Sequence, residues 1–177
     1  MKRINLSMAR GLKDTNIIGD NGERFAAIRL TQGQLFDVIE LGGKTPAFDL
    51  LCRINDTQKP YQFLVQVKAR ETAPIYTKEH PVRIKTPVPD RKYKSLQLRP
   101  LPTYVAGVDN TNGDVFIAAA FGTTNNYKNS IPITYKLSLS DKAASLAALQ
   151  RMKNDVINYW DGLDIQTYKS AFNSIIV

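Results

Sequence analysis

Three apolar runs, each bounded by turn-forming residues, dominate the first half of the chain. They lie at Gln34–Leu41, Phe48–Ile54 and Tyr61–Arg70, and each is rich in β-branched and aromatic side chains. Such runs are typical of β-strands. Because only the short turn segments Gly42–Pro46 and Asn55–Pro60 separate them, the pattern predicts three consecutive antiparallel strands.

A helical period precedes these strands, from about Asn16 to Gln32. At 100° per residue its apolar side chains form two stripes. The bulky stripe contains Ile18, Phe25 and Ile28, and the slimmer one contains Ala26, Ala27 and Leu30. Glu23 falls in the middle of the slimmer stripe, where an unpaired charge is costly to bury. The pattern predicts a compensating partner for Glu23, with a surface ion pair to Arg24 or Arg29 as the alternative.

The segment 71–102 is rich in proline and basic residues. Its six prolines argue against long regular structure, and a short helix at Arg91–Leu98 is the one regular element we expect. Residues 78–99 carry seven Lys and Arg against two Asp and Glu, a net charge of +5. This basic stretch is either a solvated loop or a surface that follows a phosphate backbone.

Regular patterns return after residue 102. Tyr104–Asp109 and Val115–Phe121 predict a hairpin, and Ile131–Leu139 predicts a short extended run. Apolar residues at three- and four-residue intervals then predict a C-terminal helix over about 141–161, with Ser140 as N-cap and Gly162 at its end. We expect residues 163–177 to form a tail that covers part of the core.

The order of these elements predicts an α/β fold in which a mixed β-sheet is flanked by helices. The 177 residues, of which 43% are hydrophobic, suit one domain spanning 1–177. The single cysteine, Cys52, lies in an apolar run and excludes disulfides and Cys-based zinc sites. The lone His80 excludes His-rich metal sites and argues against a Ser-His-Asp triad.

The net charge of +8 and the pI of about 9.6 favour a polyanionic partner. No apolar stretch approaches the roughly 20 residues that span a bilayer, and the N-terminus lacks the apolar core of a signal peptide. We therefore expect a cytoplasmic protein with no membrane partner.

Four polar side chains suggest chemistry. Alternation along the third strand puts Gln66 and Lys68 on one face, and Asp49 opens the preceding strand. If those strands pair, Asp49 lies beside Gln66 and Lys68, and Glu23 approaches the same edge from its helix. Oxygen ligands of this kind suit Mg²⁺, and a lysine beside them suits phosphodiester hydrolysis. The alternatives are a solvent-facing Gln66–Lys68 pair and a turn carboxylate at Asp49.

Glu23 in the first helix, Phe48-Asp49-Leu50 in one strand and Gln66-Val67-Lys68 in the next resemble the PD-(D/E)XK, or restriction-endonuclease-like, nuclease superfamily, most closely its small bacterial members with a Gln-x-Lys motif. The resemblance covers about 16–121. It implies a restriction-endonuclease-like core, Mg²⁺ or Mn²⁺ at Asp49 and Gln66, Lys68 as the catalytic lysine, and a nucleic-acid substrate. The sequence departs from the family pattern at Gln66, where an acidic residue is usual, and at Phe48, which replaces proline.

Together these features predict a metal-dependent endonuclease, with DNA favoured over RNA as the substrate and Glu23 completing the catalytic set. The basic residues expected to contact nucleic acid are Arg70, Arg83, Lys85, Arg91, Lys92 and Lys94. Three alternatives stay open: a nuclease-fold domain that binds nucleic acid without cleaving it, a protein-interaction or inhibitor-like module, and a non-nuclease enzyme. The sequence also leaves a homodimer open.

Overall fold

The computed structural model describes residues 6–42, 48–73, 75–78, 82–122 and 130–162. Within these ranges the protein is mixed α/β, with three helices and a curled, mixed sheet. The predicted arrangement of a mixed sheet flanked by helices is confirmed at this level. In the same ranges no helix combines the length and the apolarity that a bilayer crossing requires.

The helices are α1 (Leu6–Leu30), α2 (Asp90–Gln97) and α3 (Lys142–Gly162). The strands, in chain order, are β1 (Phe36–Glu40), β2 (Leu50–Ile54), β3 (Gln62–Arg70), β4 (Ile75–Tyr76), β5 (Arg83–Lys85), β6 (Thr103–Asp109), β7 (Asp114–Ala119), β8 (Ser130–Pro132) and β9 (Lys136–Leu137). Short 3-10 turns lie at Gln32–Gln34 and Ile133–Tyr135. Helix α2 confirms the short helix predicted inside the proline-rich segment.

The large sheet has the strand order β1-β2-β3-β6-β7-β9, and β4, β5 and β8 form a small second sheet. The pairs β1–β2 and β2–β3 are antiparallel, which confirms the three consecutive antiparallel strands. The antiparallel β6–β7 pair confirms the predicted hairpin. Strands β3 and β6 are parallel. A parallel pair needs a long crossover, and residues 71–102, which contain β4, β5 and α2, supply it.

Two hydrophobic cores cover the two faces of the large sheet. On one face, Val65 and Val67 of β3 join the buried residues of α1 and α3. On the other, Val105 of β6 joins the buried residues of α2 and the small sheet, such as Leu96 and Ile84. Since side chains alternate along a strand, Gln66 and Lys68 lie on the α2 face, opposite to α1.

Helix α1 begins ten residues before the predicted start, and it turns a different side to the sheet than its bulkiest stripe suggests. Ile28 is 53% exposed, whereas Gly22, Ala26 and Leu30 are buried. Of the two predicted stripes, it is therefore the slimmer one, with Ala26 and Leu30, that faces the sheet. Small side chains at Gly22 and Ala26 let the helix lie close to the sheet, which decides the orientation.

The predicted ends of several other elements shift. Strand β1 begins at Phe36 because Gly33 (φ 76°) and Gln34 (φ 57°) form a tight turn before it. The extended run predicted over Ile131–Leu139 is interrupted by the 3-10 turn.

Helix α3 is capped by Asp141, whose Oδ1 accepts the N–H of Ala144 at 3.0 Å, so the prediction of Ser140 as the cap is wrong by one residue. Of the apolar stripe that predicts this helix, Leu149, Met152 and Val156 are buried, whereas Leu146 is 43% exposed and was wrongly expected in the core. Cys52 is buried, as predicted. The tail predicted over 163–177 lies outside the described residues.

Candidate functional site

The candidate site lies where β2 and β3 part. The β2–β3 register runs from Leu50↔Val65 to Arg53↔Gln62, so Asp49 stands across from Gln66. Beyond this point β3 continues beside β6. Asp49 Oδ2 accepts the Val67 N–H at 2.6 Å, and the Asp49 N–H bonds to the Val65 carbonyl at 2.9 Å. Asp49 is thus bonded to β3 through both its backbone and its side chain.

Gln66 is buried against this carboxylate. Its side chain is 2% exposed, and Nε2 donates to Asp49 Oδ2 and to the Val67 carbonyl, the latter at 3.1 Å. The interpretation of Gln66 as a solvent-facing residue is therefore wrong. Gln66 Oε1 is buried without a hydrogen-bond partner among the described residues. Because an amide presents donors on one side and an acceptor on the other, Gln66 can turn either toward Asp49.

Burial raises the pKa of the Asp49 carboxyl, although the Val67 N–H, Lys68, Lys92 and the Gln66 amide oppose the rise. The carboxylate is thus stabilised by several donors and cations but has lost much of its water. A carboxylate in this state gains from any additional cation.

Lys68 lies on the same face of β3 as Gln66, two residues further on. Burial lowers the pKa of its amine, and Lys92 of α2 lowers it further, while Asp49 and Glu23 act in the opposite sense. Lys68 forms no hydrogen bond or ion pair with the residues that the structure describes. Its Nζ is therefore available to a ligand.

Glu23 reaches the site from α1, on the opposite face of the sheet. It is half-buried and lines the same cleft as Asp49 and Lys68. Burial raises the pKa of its carboxyl most, Asp49 raises it further, and Lys68 opposes the rise. No ion pair with Arg24 or Arg29 is found in the described part of the chain; Arg29 is buried near Asp114. Lys68 opposes the rise without an ion pair to Glu23 among the described residues, so the predicted compensation of Glu23 stays a prediction.

The cleft has a volume of about 720 Å³ and is lined by charged side chains of both signs. The acidic side chains in its lining are Glu23, Asp49 and Glu71, and the basic ones are Lys68, Arg70 and Lys85. The structure thus brings Glu23, Asp49 and Lys68 to one cleft, with Gln66 buried behind Asp49. Their catalytic roles stay predictions.

Among the polar residues of the lining, Glu71 and Thr72 were missed by sequence reasoning. They directly follow the last residue of β3, and Thr72 Oγ1 lies 3.2 Å from the Thr111 hydroxyl. Polar residues just past the end of the strand that carries the candidate lysine were the available signal. They also begin the proline-rich segment 71–102, whose pattern predicts irregular structure and, at these two positions, no site.

The basic residues predicted to contact nucleic acid occupy three kinds of position. Arg70 and Lys85 line the cleft, and Lys92 acts on Asp49 and Lys68 from α2. Arg91 and Lys94 are exposed on α2. Arg83 instead binds Ser130 across the small sheet, with Nε 2.6 Å from Oγ and a terminal nitrogen 2.9 Å from the carbonyl oxygen.

The oxygen donors of the site fit a hard divalent cation. No three Asp, Glu, His or Cys side chains of the described residues form a group that could hold a metal ion. Mg²⁺, however, needs only one or two carboxylates because it keeps several waters. Asp49 Oδ1 makes no hydrogen bond to a described residue, and Gln66 Oε1 is a buried acceptor without a donor. Asp49 and Gln66 could therefore hold such an ion.

No model of a known protein family, no curated protein and no solved structure matches this chain.

Proposed function

We propose that the protein is a metal-dependent nuclease that hydrolyses phosphodiester bonds in DNA, with a restriction-endonuclease-like core. The observation that carries the proposal is the Asp49–Gln66 contact, with Lys68 on the same face of β3 and Glu23 in the same cleft. The sequence resemblance rests on the order of these four residues. Their proximity in the folded protein supports the resemblance independently of that order.

The arrangement of elements gives further support. The resemblance implies a helix with Glu23, a strand opened by Asp49, a Gln-x-Lys strand and one more strand in a mixed sheet. Here β2, β3 and β6 are neighbours in one mixed sheet, and α1 packs against it. The lining also combines carboxylates that can bind a cation with basic side chains that can bind phosphate.

In this mechanism Asp49 and Gln66 would hold Mg²⁺ or Mn²⁺, which would polarise the phosphate and lower the pKa of a water molecule. Arg70 and Lys85 bind phosphate oxygens and orient the backbone in the cleft. Lys68 Nζ orients the attacking water or donates hydrogen bonds to the oxygens that become more negative during attack. Glu23 supplies a further oxygen, either to the ion or to one of its waters.

A second candidate is a nuclease-fold domain that binds nucleic acid without cleaving it. One observation favours it: the Gln66 amide already donates to Asp49 and so satisfies that carboxylate without a cation. An acidic residue at this position would instead need a cation or a proton. Both candidate functions use the basic residues of the cleft to bind nucleic acid, and only the first includes cleavage.

Cleavage assays separate the candidates. Plasmid DNA, linear DNA and RNA are incubated with the protein and Mg²⁺ or Mn²⁺, with EDTA as the blank. We expect DNA products that Asp49→Ala and Lys68→Ala both abolish, while Lys142→Ala, on the exposed start of α3, retains activity. Salt-dependent DNA binding without products would favour the second candidate. Products that survive both site substitutions would assign the activity to a contaminant and overturn the proposal.

A further inference from the structure

Helix α1 and strand β3 touch most closely at Gly22. A Cβ atom built on Gly22 would lie 2.2 Å from Ala69 Cβ and 3.4 Å from Ala69 Cα. The first distance is far below any real contact between carbon atoms, so only glycine fits here without a shift. Glycine in a helix interior costs about 1 kcal/mol relative to alanine. What it provides in return is the close approach of helix and strand.

The turn between β6 and β7 fastens the same two elements. Asn110 Nδ2 donates to the Ile18 carbonyl of α1 at 2.9 Å, and the Asn110 N–H donates to the Arg70 carbonyl of β3 at 2.9 Å. The next residue, Thr111, donates through Oγ1 to the Glu71 carbonyl at 2.5 Å. One turn therefore bonds to the helix and to the end of the strand.

Both fastened segments are walls of the candidate site. Ile18 and Glu23 line the cleft from α1, and Arg70 and Glu71 line it from the end of β3. Glu23 directly follows Gly22. The distance between α1 and β3 at Gly22 therefore determines how near the Glu23 carboxylate comes to Asp49 and Lys68. A methyl group at Gly22 would have to move outward by at least about 1.2 Å to reach an ordinary contact with Ala69.

We infer that Gly22 and Asn110 are positioning residues. They hold the Glu23 carboxylate in the cleft near Asp49 and Lys68 without touching the substrate. This inference rests on the proposed nuclease function. Misplacing a catalytic group by about 1 Å can cost about 100-fold in rate. The two residues therefore affect the rate although each acts through Glu23.

The test exchanges the methyl group between the two partners. Gly22→Ala introduces the clash, and Ala69→Gly on the same chain removes it. We expect kcat for DNA cleavage to fall about 100-fold in Gly22→Ala. KM should change by less than about threefold because the basic lining residues, such as Arg70 and Lys85, are unchanged. The double variant should recover most of this loss relative to Ala69→Gly alone, a coupling that a double-mutant cycle measures.

An unchanged kcat in Gly22→Ala would overturn the inference, and so would a double variant as slow as Gly22→Ala. Thermal unfolding of all variants is recorded in parallel. If Gly22→Ala does not fold, Asn110→Ala replaces it, with Asn154→Ala on the exposed side of α3 as control. We then expect about a tenfold loss of kcat in Asn110→Ala; equal kcat in the two asparagine variants would overturn the inference.

A second readout does not depend on cleavage. Burial and the nearby Asp49 raise the pKa of the Glu23 carboxyl, so a displaced helix should bring that pKa down toward its ordinary value. Carboxyl titration by NMR is expected to show the decrease in Gly22→Ala and its reversal in the double variant. If wild-type protein cleaves no DNA, the proposed function fails while this titration still decides the inference. The same Glu23 titration in all variants would overturn it.

Discussion

Asp49 and Lys68 are ionisable side chains that the fold partly removes from water. Burial raises the pKa of Asp49 and lowers the pKa of Lys68. In both cases the folded protein favours the neutral form more strongly than the unfolded chain does. Keeping both groups charged at pH 7 therefore lowers the free energy of unfolding.

We accordingly predict that Asp49→Asn and Lys68→Met each raise the melting temperature at pH 7 while abolishing DNA cleavage. A gain of 1 kcal/mol corresponds to about 2–4 °C for a domain of this size. The folded pKa of Asp49 exceeds its unfolded value, so its contribution to wild-type stability is lost as pH rises through the folded pKa. The advantage of Asp49→Asn should hence grow between about pH 4 and pH 7, as thermal melts across that range would measure. A variant less stable than wild type at pH 7 would contradict this account.

Gln66 is the residue at which the chain departs from the acidic pattern of the resembled family, and its substitution tests the cation site directly. Gln66→Glu puts a second carboxylate, almost fully buried, against Asp49 Oδ2. Without a cation we expect a loss of about 3 kcal/mol at pH 7. The new carboxyl would have a raised pKa beside Asp49, so the loss should shrink at pH 5.

Millimolar Mn²⁺ should restore much of that stability, because a ligand that binds only the folded state stabilises it by RT ln(1 + [L]/Kd). Thermal melts with Mn²⁺ and with EDTA measure the effect. The matched control is Gln150→Glu on the exposed surface of α3. An equal Mn²⁺ response in the two variants would show that Asp49 and position 66 hold no cation.

The convergence of Asp49, Gln66 and Lys68 could be predicted from the sequence because it follows from local rules. Alternation fixes the shared face of Gln66 and Lys68, and a short turn fixes the pairing of β2 with β3. The bond from the Val67 N–H to Asp49 could not be predicted. It depends on the point at which β2 stops pairing, and that point is set by the packing of the whole sheet.

At the scale of elements, helix faces were harder to predict than strands. Hydrophobicity alone favours Ile28 as a core residue, yet the sheet selects the side of α1 that carries Gly22 and Ala26. The selection depends on how closely helix and strand can approach, which is a property of the pair. A sequence pattern describes only one of the two partners, so it could not decide which of the two stripes faces the sheet.

A similar contact on the other face of the sheet supports a further prediction. Gly107 of β6 pairs with Lys68 in register, and a Cβ atom there would lie 1.9 Å from Thr86 Cγ2. Thr86 is 1% exposed and directly follows Lys85, which lines the cleft. The close contact between Gly107 and Thr86 therefore determines how near Lys85, and with it this part of the cleft lining, lies to the sheet.

We predict that Gly107→Ala lowers the free energy of unfolding by about 1–3 kcal/mol, the usual cost of overpacking, and weakens DNA binding. Thr86→Ser removes the Cγ2 methyl at a cost of about 0.8 kcal/mol. The double variant should then be more stable than Gly107→Ala alone. Urea unfolding and a DNA titration would measure both effects. If the double variant instead loses as much unfolding free energy as the two single variants together, the contact between Gly107 and Thr86 does not determine the distance between Lys85 and the sheet.

At the scale of the whole molecule, the two faces of the sheet serve different purposes in the proposed function. The α1 and α3 face carries the larger core and contributes Glu23 at its edge, whereas the α2 face carries Gln66, Lys68 and the basic residues of the crossover. The net charge of +8 alone does not say where a polyanion binds. If the proposed function holds, the distribution of side chains favours the α2 face for the DNA contact.

That assignment predicts which charges control the salt dependence of DNA binding. Arg91 and Lys94 are exposed one helical turn apart on α2, and Lys142 and Arg151 are exposed on α3 across the sheet. Each phosphate contact contributes about 0.9 to the slope of log affinity against log salt. Arg91→Gln/Lys94→Gln should lower the slope by up to about 1.8 in a titration between 50 and 200 mM salt, while Lys142→Gln/Arg151→Gln leaves it unchanged. Because both pairs remove the same charge, equal slopes would mean that net charge, and not the α2 face, determines binding.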